Sequence, residues 1–499
     1  MQIIILNIYS LGLSMDFIKD LKTNKEQLLE LFNNNADIKH RDICLKSGIR
    51  CCFIFLEGAV DPDCVRDVLE RLMETDRVSK DVPEYLKLNV INTFGVDKIN
   101  NTDEAIRGIL DGNGVLLIDG FEDALTIGCA QWNTRAITEP PTSALLLGPR
   151  EGFTEDIKTN ITLLRRRLHS PAFVYEKHSI GRYSNTEVAL CYIKGIADEK
   201  IVQKVSQRLK QIDIDGIVDS YYVAQFLSEK PNSLFRTIGV AEKPDIIMAK
   251  ILEGRVAIIV NGSPIVLTIP FLFFEDIQES GDYYTSATRA TFLRFLRLLG
   301  ILLGVQLPGI YVALRIYHYM AMPIDYLVTI LNSSQGVPFS PMYEMLFVIL
   351  LFEIIHEASL RMPRYVGMAM SIVGALVLGD TAVKAGLLSS PTVMFVSISA
   401  IALYMIPNQV GIFHLFRLLF TIAGGLAGFL GIILLEFVLL AYMASLDSYG
   451  TPYLAPYAPK VFNDLGDALI KTDITGNTMR PYSIPNVNKR RQKINEKGN

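Results

Sequence analysis

Charged side chains are scarce in one part of this chain of 499 residues. Residues 298–446 hold 11 Asp, Glu, Lys or Arg residues in 149 positions, about 7%. The remaining 350 positions hold 89 of the 100 charged residues (48 basic and 52 acidic), about 25%. This contrast excludes a wholly soluble or wholly secreted protein and predicts a soluble part followed by a membrane part. The net charge of −4 gives no reason to expect a nucleic-acid partner.

Cysteine is also rare, and its six residues form no Cys-x-x-Cys pair and no other framework spacing. This excludes a disulfide-rich secreted domain, so we expect reduced structural thiols in a cytoplasmic compartment. Only Cys51 and Cys52 are adjacent, in an apolar run typical of a buried strand. The six are Cys44, Cys51, Cys52, Cys64, Cys129 and Cys191.

Sequence motifs of common enzymes are missing as well. The chain has no P-loop, GxSxG or GxGxxG motif, and its six histidines lie at no metal-ligand spacing. We therefore expect a protein that is not an enzyme, with no catalytic residues, bound metal or cofactor. Residues 2–13 are apolar but lack a basic flank and are too short to span a membrane, which makes a poor signal peptide. Met15 is an alternative start of translation.

The soluble part contains an internal duplication. The block Glu57-Gly-Ala-Val-Asp61 aligns with Lys194-Gly-Ile-Ala-Asp198 at a shift of 137 residues. Further on, residues 109–120 align with residues 251–262 at a shift of 142. Each copy has an apolar strand, an Asp that can cap a helix, and two closing strands joined at Asp-Gly or Asn-Gly. The fold class is therefore a duplicated α/β soluble domain followed by an all-α, multi-pass membrane domain of about five helices.

A basic helix lies between the two copies and ends in Arg165, Arg166 and Arg167. We interpret this run as a solvated face or as the ion-pair partner of a neighbouring subunit, with a membrane-facing or acidic-partner role as the alternative. The predicted organisation has six parts. They are an N-terminal helical extension (1–36), α/β subdomain 1 (37–147), a basic linker helix (148–171), α/β subdomain 2 (172–284), a transmembrane domain (285–446) and a basic C-terminal tail (447–499).

Five stretches of the low-charge part are apolar enough to be membrane spans. Basic residues Arg289, Arg294 and Arg297 precede the first stretch, whereas residues 321–342 carry no Lys or Arg. The positive-inside rule therefore places the soluble part in the cytoplasm. The five stretches are residues 298–319, 342–360, 366–387, 391–406 and 413–446.

Five crossings conflict with the basic tail at residues 489–493, which favours a cytoplasmic C-terminus and an even number of crossings. We give the charge rule more weight than the helix count. Residues 342–360 carry Glu344, Glu353, His356 and Glu357, so we expect their second half to be interfacial or packed against protein, and this is the segment that we expect not to cross. Residues 413–446 are too long for one span of about 20 residues and too short for two. They are expected to form an amphipathic lead-in helix that carries Arg417, followed by one span.

Polar residues inside spans are functional candidates because burying them in lipid is costly. On residues 366–387, a stripe of small, apolar and polar residues suits a pore wall with a hydrophobic constriction at Val377. Ordinary helix packing is the alternative. The candidate pore-lining residues are Ser371, Gly374, Val377, Asp380, Thr381 and Lys384.

Charged residues within the spans need partners. Asp380 and Lys384 are one helical turn apart, so they either form a plain ion pair or line a water-filled path. Glu344 and Glu436 are two further intramembrane acids. For Glu436 we expect a partner from a neighbouring helix or subunit rather than an open ion site.

Several motifs resemble the A subunits of GerA-type spore germinant receptors, the GerA/SpoVAF family. The longest is residues 148–168, which begin Gly-Pro-Arg-Glu-Gly-Phe-Thr-Glu-Asp. The resemblance covers nearly all of residues 37–495. Asp380 departs from the family pattern, which has Gln or a similar neutral residue at this position. The polarity that the family shows along this helix therefore carries over to this chain only in part. Residues 252–260, 282–284, 352–363 and 371–379 match as well.

The resemblance implies a multi-pass protein of the spore inner membrane, with its N-terminal domain on the core side. It also implies a pentameric homo-oligomer that forms a nutrient-gated ion channel. The implied partners are a permease-like B subunit, which is the expected nutrient binder, and a lipoprotein C subunit. A SpoVAF-like accessory channel subunit, a secondary transporter and a non-conducting signalling scaffold are the alternatives.

Replacing Val377 by alanine tests the interpretation of residues 366–387 as a pore wall. If Val377 forms the constriction, Val377→Ala widens and wets the gate, so we expect an ion leak without nutrient. The measurement is the resting conductance of the assembled complex. An unchanged conductance with normal assembly would remove Val377 from the pore.

Overall fold

The computed structural model describes residues 15–76, 80–93, 95–131, 148–363, 366, 374, 377–406 and 409–492. The chain divides into two compact units. The first contains the N-terminal residues up to Pro231, Ile238–Pro270 and the C-terminal residues from Thr478. The second contains Asn232–Thr237 and Phe271–Asn477.

The first unit contains two five-stranded antiparallel sheets with equivalent strand order, β1-β2-β4-β5-β3 and β6-β7-β9-β10-β8. This repetition confirms the duplication that the sequence predicted. The first sheet consists of β1 Ile38–Cys44, β2 Arg50–Leu56, β3 Val96–Ile99, β4 Gly114–Ile118 and β5 Ala124–Ile127. The second consists of β6 Phe173–Ile180, β7 Thr186–Ile193, β8 Gly239–Ala241, β9 Val256–Val260 and β10 Val266–Ile269.

Helices cover both faces of the first sheet. Cys52 and Ile54 of β2 pack with α1 and α3, whereas Cys51 and Phe53 pack with α2 on the opposite face. Because both faces are buried, β2 is a continuous apolar run without alternation. Burial raises the pKa of the Cys51 and Cys52 thiols to about 12. The helices are α1 Leu21–Leu31, α2 Pro62–Glu74, α3 Thr102–Leu110, α4 Ile157–Arg167, α5 Glu199–Gln211, α6 Ser220–Leu227 and α7 Pro244–Leu252, with short helical turns Val82–Tyr85 and Leu86–Val90.

The duplication begins earlier than the sequence blocks indicated. Residues 17–24 read Phe-Ile-Lys-Asp-Leu-Lys-Thr-Asn, and residues 153–160 read Phe-Thr-Glu-Asp-Ile-Lys-Thr-Asn. In both, the Asp caps the helix by accepting from the backbone N–H of the Thr, at 3.1 Å in α1 and 2.8 Å in α4. The predicted linker helix is therefore the first helix of the second copy, and the predicted N-terminal extension contains its counterpart.

The C-terminal residues complete the second copy. In the first copy, Gln131 donates its backbone N–H to the Ala59 carbonyl at 2.8 Å, directly after the sheet. In the second copy the equivalent donor is Val487, which bonds the Ile196 carbonyl at 2.9 Å. Backbone bridges pair Val60 with Ala130 and Ala197 with Asn486. Phe271–Asn477 is thus inserted in chain order between the last strand of the second copy and its closing segment.

The second unit is helical. Among the described residues, two helices are long and apolar enough to cross a membrane, α8 and α12, where five spans were expected. Helix α10 carries four charged residues and α11 is short, which explains the lower number. Most of the stretch 366–387 lies outside the described residues. The helices are α8 Ala287–Ile316, α9 Ile324–Ser333, α10 Pro341–Arg361, α11 Ser390–Leu403 and α12 Val410–Ala444, with short turns Val377–Thr381 and Ala382–Lys384 and a two-stranded β11 Asp447–Ser448 and β12 Thr451–Pro452.

Helix α12 reverses direction at Gly428, where φ is 61° and ψ is −145°. Glycine adopts this left-handed φ without a steric penalty. The ring of Phe235 lies 5.7 Å from that of Phe416 before the reversal and 6.3 Å from that of Tyr442 after it. The two halves of α12 therefore run antiparallel. This corrects the expectation of a lead-in helix and a single span.

A buried ion pair joins the two copies of the first unit. Arg165 of α4 binds both carboxylate oxygens of Asp37, at 2.7 Å and 3.0 Å, and its guanidinium lies 4.8 Å from the centre of the Phe173 ring. The Arg165 and Asp37 side chains are 2% and 6% exposed. Arg165 is thus paired within its own chain and does not reach a neighbouring subunit. A subunit contact stays a prediction for Arg166 and Arg167.

Removing the carboxylate of this pair tests its contribution. Asp37→Asn leaves the Arg165 charge buried without a counter-ion, so we expect a loss of about 3 kcal/mol of stability. The measurement is the thermal midpoint of the purified full-length chain. Asp213→Asn is the matched control, because Asp213 and Arg182 are 66% and 63% exposed and their pair should not shift the midpoint. Equal shifts in the two variants would contradict the proposed importance of burial.

Candidate functional site

A polar cluster lies inside the second unit, between α10 and the first half of α12. The carboxylate of Glu353 accepts hydrogen bonds from His414 and from Arg417, which are three residues apart on α12. The Arg417 side chain is 1% exposed. Its Nη1 also lies 3.5 Å from the hydroxyl of Ser399, which itself donates to the Gly304 carbonyl at 2.6 Å. The cluster therefore connects four helices, α8, α10, α11 and α12.

The side chains of His356 and Tyr404 extend this cluster toward an open pocket of about 630 Å³. His356 lies one turn after Glu353, and its Nδ1 is 2.9 Å from the Tyr404 hydroxyl. The His356 and His414 rings are 5.5 Å apart. The described lining residues are Glu353, His356, Glu357, Leu360, Tyr404, Val410, Gly411 and His414.

The chemistry of this cluster is proton and charge handling. It holds one acid, two imidazoles, one phenol and one guanidinium, in two hydrogen-bonded sets whose imidazole rings lie 5.5 Å apart. Within the described ranges, no group of three or more His, Cys, Asp or Glu side chains could hold a metal ion. The sequence indicated Glu353 and His356 as residues packed against protein, but Arg417 was assigned only to a lead-in helix. The pairing joins residues 64 positions apart, so no local spacing could reveal it.

The two intramembrane acids named from the sequence both have partners on other helices. Glu344 of α10 is fully buried and bonds Arg315 of α8 at 3.1 Å. It also accepts from the backbone N–H of Ser389 at 2.7 Å and from its hydroxyl at 2.6 Å. Glu436 accepts from the Gln306 amide at 2.6 Å. The partner expected for Glu436 from a neighbouring helix is therefore Gln306 of α8.

The candidate pore-lining residues are only partly described. Ser371 and the side chain of Val377 lie outside the described residues. A Cβ at Gly374 would come within 2.9 Å of Ile355, so this glycine permits close packing against α10. Asp380 and Lys384 form the expected ion pair, at 2.7 Å, with side chains 52% and 75% exposed, and Thr381 is exposed beside them.

The basic run of α4 lies in the first unit, apart from this cluster. Arg166 and Arg167 both bind Glu151, the latter at 2.7 Å. Burial alone would raise the pKa of the Glu151 carboxyl, but the two guanidinium groups outweigh this effect and hold the pKa below its ordinary value. The run is therefore neither a simple solvated face nor free of internal partners.

Comparison with known proteins defines the class. The family model "Bacillus/Clostridium GerA spore germination protein" matches residues 26–483. The chain therefore belongs to the GerA family of spore germination proteins, as its motifs indicated.

Individual relatives cover almost the whole chain. Spore germination protein KA of Bacillus subtilis (strain 168) is 35% identical over 491 residues, 96% of this chain and 89% of that protein. Spore germination protein GerLA of Bacillus cereus is 33% identical over 440 residues, 87% of this chain and 89% of that protein. The crystal structure of the N-terminal domain of the A subunit of the Bacillus megaterium spore germinant receptor GerK3 is 29% identical, with a TM-score of 0.43. The match between them covers 52% of this chain and 98% of the chain in that structure.

Neutralising Glu353 tests whether the cluster holds the helices together. Glu353→Gln leaves the buried Arg417 charge uncompensated, so we expect a loss of about 3 kcal/mol, measured as a lower thermal midpoint of the detergent-solubilised chain. Adding Arg417→Met should restore most of the loss, because both charges are then gone. Glu357→Gln is the control one turn away, since Glu357 and Arg361 are 61% and 79% exposed. A double variant as unstable as Glu353→Gln would contradict the ion-pair explanation.

Proposed function

We propose that this chain is the A subunit of a germinant receptor and forms part of an ion channel in the spore inner membrane. Membership of the GerA family and the relatives named as spore germination proteins support a role in germination. The channel is a ring of identical chains, five by family resemblance, and it works with a permease-like B subunit and a lipoprotein C subunit. Its opening responds to nutrient bound elsewhere in the receptor.

The observation that carries the channel proposal is the exposure of Asp380 and Lys384. Glu344 and Arg417 are buried, and each is paired with an opposite charge within the second unit. In contrast, the Asp380 and Lys384 side chains are 52% and 75% exposed in a single chain. An ion pair facing lipid is unfavourable, so we infer that both groups face water. A ring of copies around an aqueous path supplies that water.

The helix ends support a membrane-crossing arrangement. Helix α8 starts beside Asp282, which binds Arg297, and ends where Tyr317 donates to the carbonyls of Gly425 and Leu426. The reversal of α12 at Gly428 is therefore at the far end of the unit. Its halves, about 27 Å and about 24 Å long, approach the thickness of the hydrocarbon core.

Among the described residues, five helical segments run between the two ends of the second unit. Helix α10 starts at the far end, where Glu344 meets Arg315, and helix α11 starts at the same end, because Ser389 also binds Glu344. Helix α11 and the two halves of α12 complete the set with α8.

We place the first unit in the cytoplasm, which in a spore is the core. Arg289, Arg294 and Arg297 lie in the first half of α8, which follows the first unit in the chain, whereas residues 321–342 beyond its other end carry no Lys or Arg. The proposed role is not enzymatic. A SpoVAF-like accessory subunit remains the alternative, and it differs in giving no response to nutrient.

The mass of the detergent-solubilised complex and the ion selectivity of its conductance test the proposal. We expect a fivefold multiple of the 55.7 kDa chain by native mass spectrometry. In reconstituted membranes, Lys384→Gln should raise the cation-to-anion permeability ratio by about threefold or more, and Asp380→Asn should lower it, because each removes one charge from the water path.

Glu436→Gln is the control variant, because Glu436 is bonded to Gln306 on a neighbouring helix and should not affect the permeability ratio. A monomeric chain, or a ratio unchanged by both pore variants, would overturn the channel and favour a signalling scaffold. Spores that carry this chain but no other germinant receptor distinguish the two channel roles, receptor subunit and accessory subunit. A receptor subunit with its B and C partners restores the response to nutrient, and an accessory subunit does not.

A further inference from the structure

Two cysteines of the first unit lie against each other. The Sγ atoms of Cys64 and Cys129 are 2.6 Å apart, and both thiols are reduced. A disulfide bond is about 2.05 Å long, so the sulfur atoms need to approach by only about 0.5 Å to form one. We propose that Cys64 and Cys129 are a site of reversible oxidation to an intramolecular disulfide, with a low-molecular-weight disulfide as the oxidant.

The backbone around the two residues already has the required arrangement. Asp61, the N-cap of α2, donates its N–H to the Cys129 carbonyl at 2.8 Å, and Val60 forms a bridge with Ala130. These bonds fix the start of α2 against the segment that follows β5. Closing the disulfide therefore joins two segments whose backbones are already paired.

The two thiols differ in their accessibility, and this difference decides which of them reacts first. Cys64 is half-buried in the first turn of α2, so it is the thiol of the pair that a small disulfide in solution can reach. Cys129 is 3% exposed, and burial raises the pKa of its thiol. Cys64 is therefore the attacking group and Cys129 the resolving one.

The exchange balances with one small disulfide, R–S–S–R. The Cys64 thiolate attacks one sulfur, forms a mixed disulfide and releases the first R–S⁻. The Cys129 thiolate then attacks the Cys64 sulfur and releases the second R–S⁻. The two protons of the protein thiols end on the two released thiols, and two electrons pass from the cysteine pair to the small disulfide. Excess thiol reverses both steps.

The second copy of the fold provides an internal comparison. At the shift of 137 residues, Cys64 corresponds to Ile201, which is buried in α5. The pair is therefore a feature of the first copy and not a requirement of the fold. The other thiols are Cys44, which is exposed, and Cys51, Cys52 and Cys191, which are buried in strands.

The test counts thiols in the full-length, detergent-solubilised chain after incubation with oxidised glutathione. After denaturation and alkylation we expect four modified cysteines instead of six, and a peptide linking Cys64 to Cys129 by mass spectrometry. Dithiothreitol should restore six. The oxidised chain should also show a thermal midpoint higher by about 5 °C, because the bond closes a long loop.

Two variants make the result specific. Cys44→Ser should leave the linked peptide intact, and Cys64→Ser should keep all five remaining thiols free of any intramolecular bond. Six alkylated thiols in the oxidised wild-type chain would overturn the proposal. A linked peptide that joins other cysteines, or stable glutathione on Cys64 without resolution by Cys129, would overturn it as well. The peptide map of the wild-type chain decides the question even if a variant fails to fold.

Discussion

The closure of the second α/β copy by residues from the C-terminus is the constraint on which the rest of the chain depends. Val487 supplies to Ile196 the backbone hydrogen bond that Gln131 supplies to Ala59 in the first copy. A sheet repeat that lost this segment would expose unpaired backbone groups, which is unfavourable. The second unit, Asn232–Thr237 and Phe271–Asn477, is consequently inserted in chain order within the second α/β copy.

Charge pairing is the second constraint, and it separates structural from functional groups. Glu344 with Arg315, and Glu353 with Arg417, are carboxylate–guanidinium pairs covered by protein. Such pairs contribute little net stability, but losing one partner is costly, so they hold particular helices together. Asp380 with Lys384 differs because both side chains remain exposed in a single chain. An exposed pair gains little stability from its own contact.

Much of the first unit was predictable because its signals are local. The apolar run of β2 and the capping Asp residues 61 and 198 define strands and helix starts within a few residues. The correspondence between α1 and α4 was missed because α4 was interpreted from its three arginines and not from Asp156, its N-cap. Arg165 could not be distinguished from Arg166 in the sequence, since only the fold brings it to Asp37, 128 residues away. The Glu353 cluster and the closing Val487 are non-local in the same way.

The shape of residues 413–446 was not predicted, for a different physical reason. A rule of about 20 residues per span treats residues 413–446 as one crossing, because nothing in their composition marks an end. The reversal depends on Gly428 alone, whose φ of 61° is open to glycine and strained for other residues. Gly424, in the same half-helix, instead provides close approach, since a Cβ there would meet the Gly309 carbonyl oxygen at 2.4 Å. Gly424 thus permits close helix packing, and Gly428, four residues later, permits the reversal. Only the backbone geometry distinguishes these two roles.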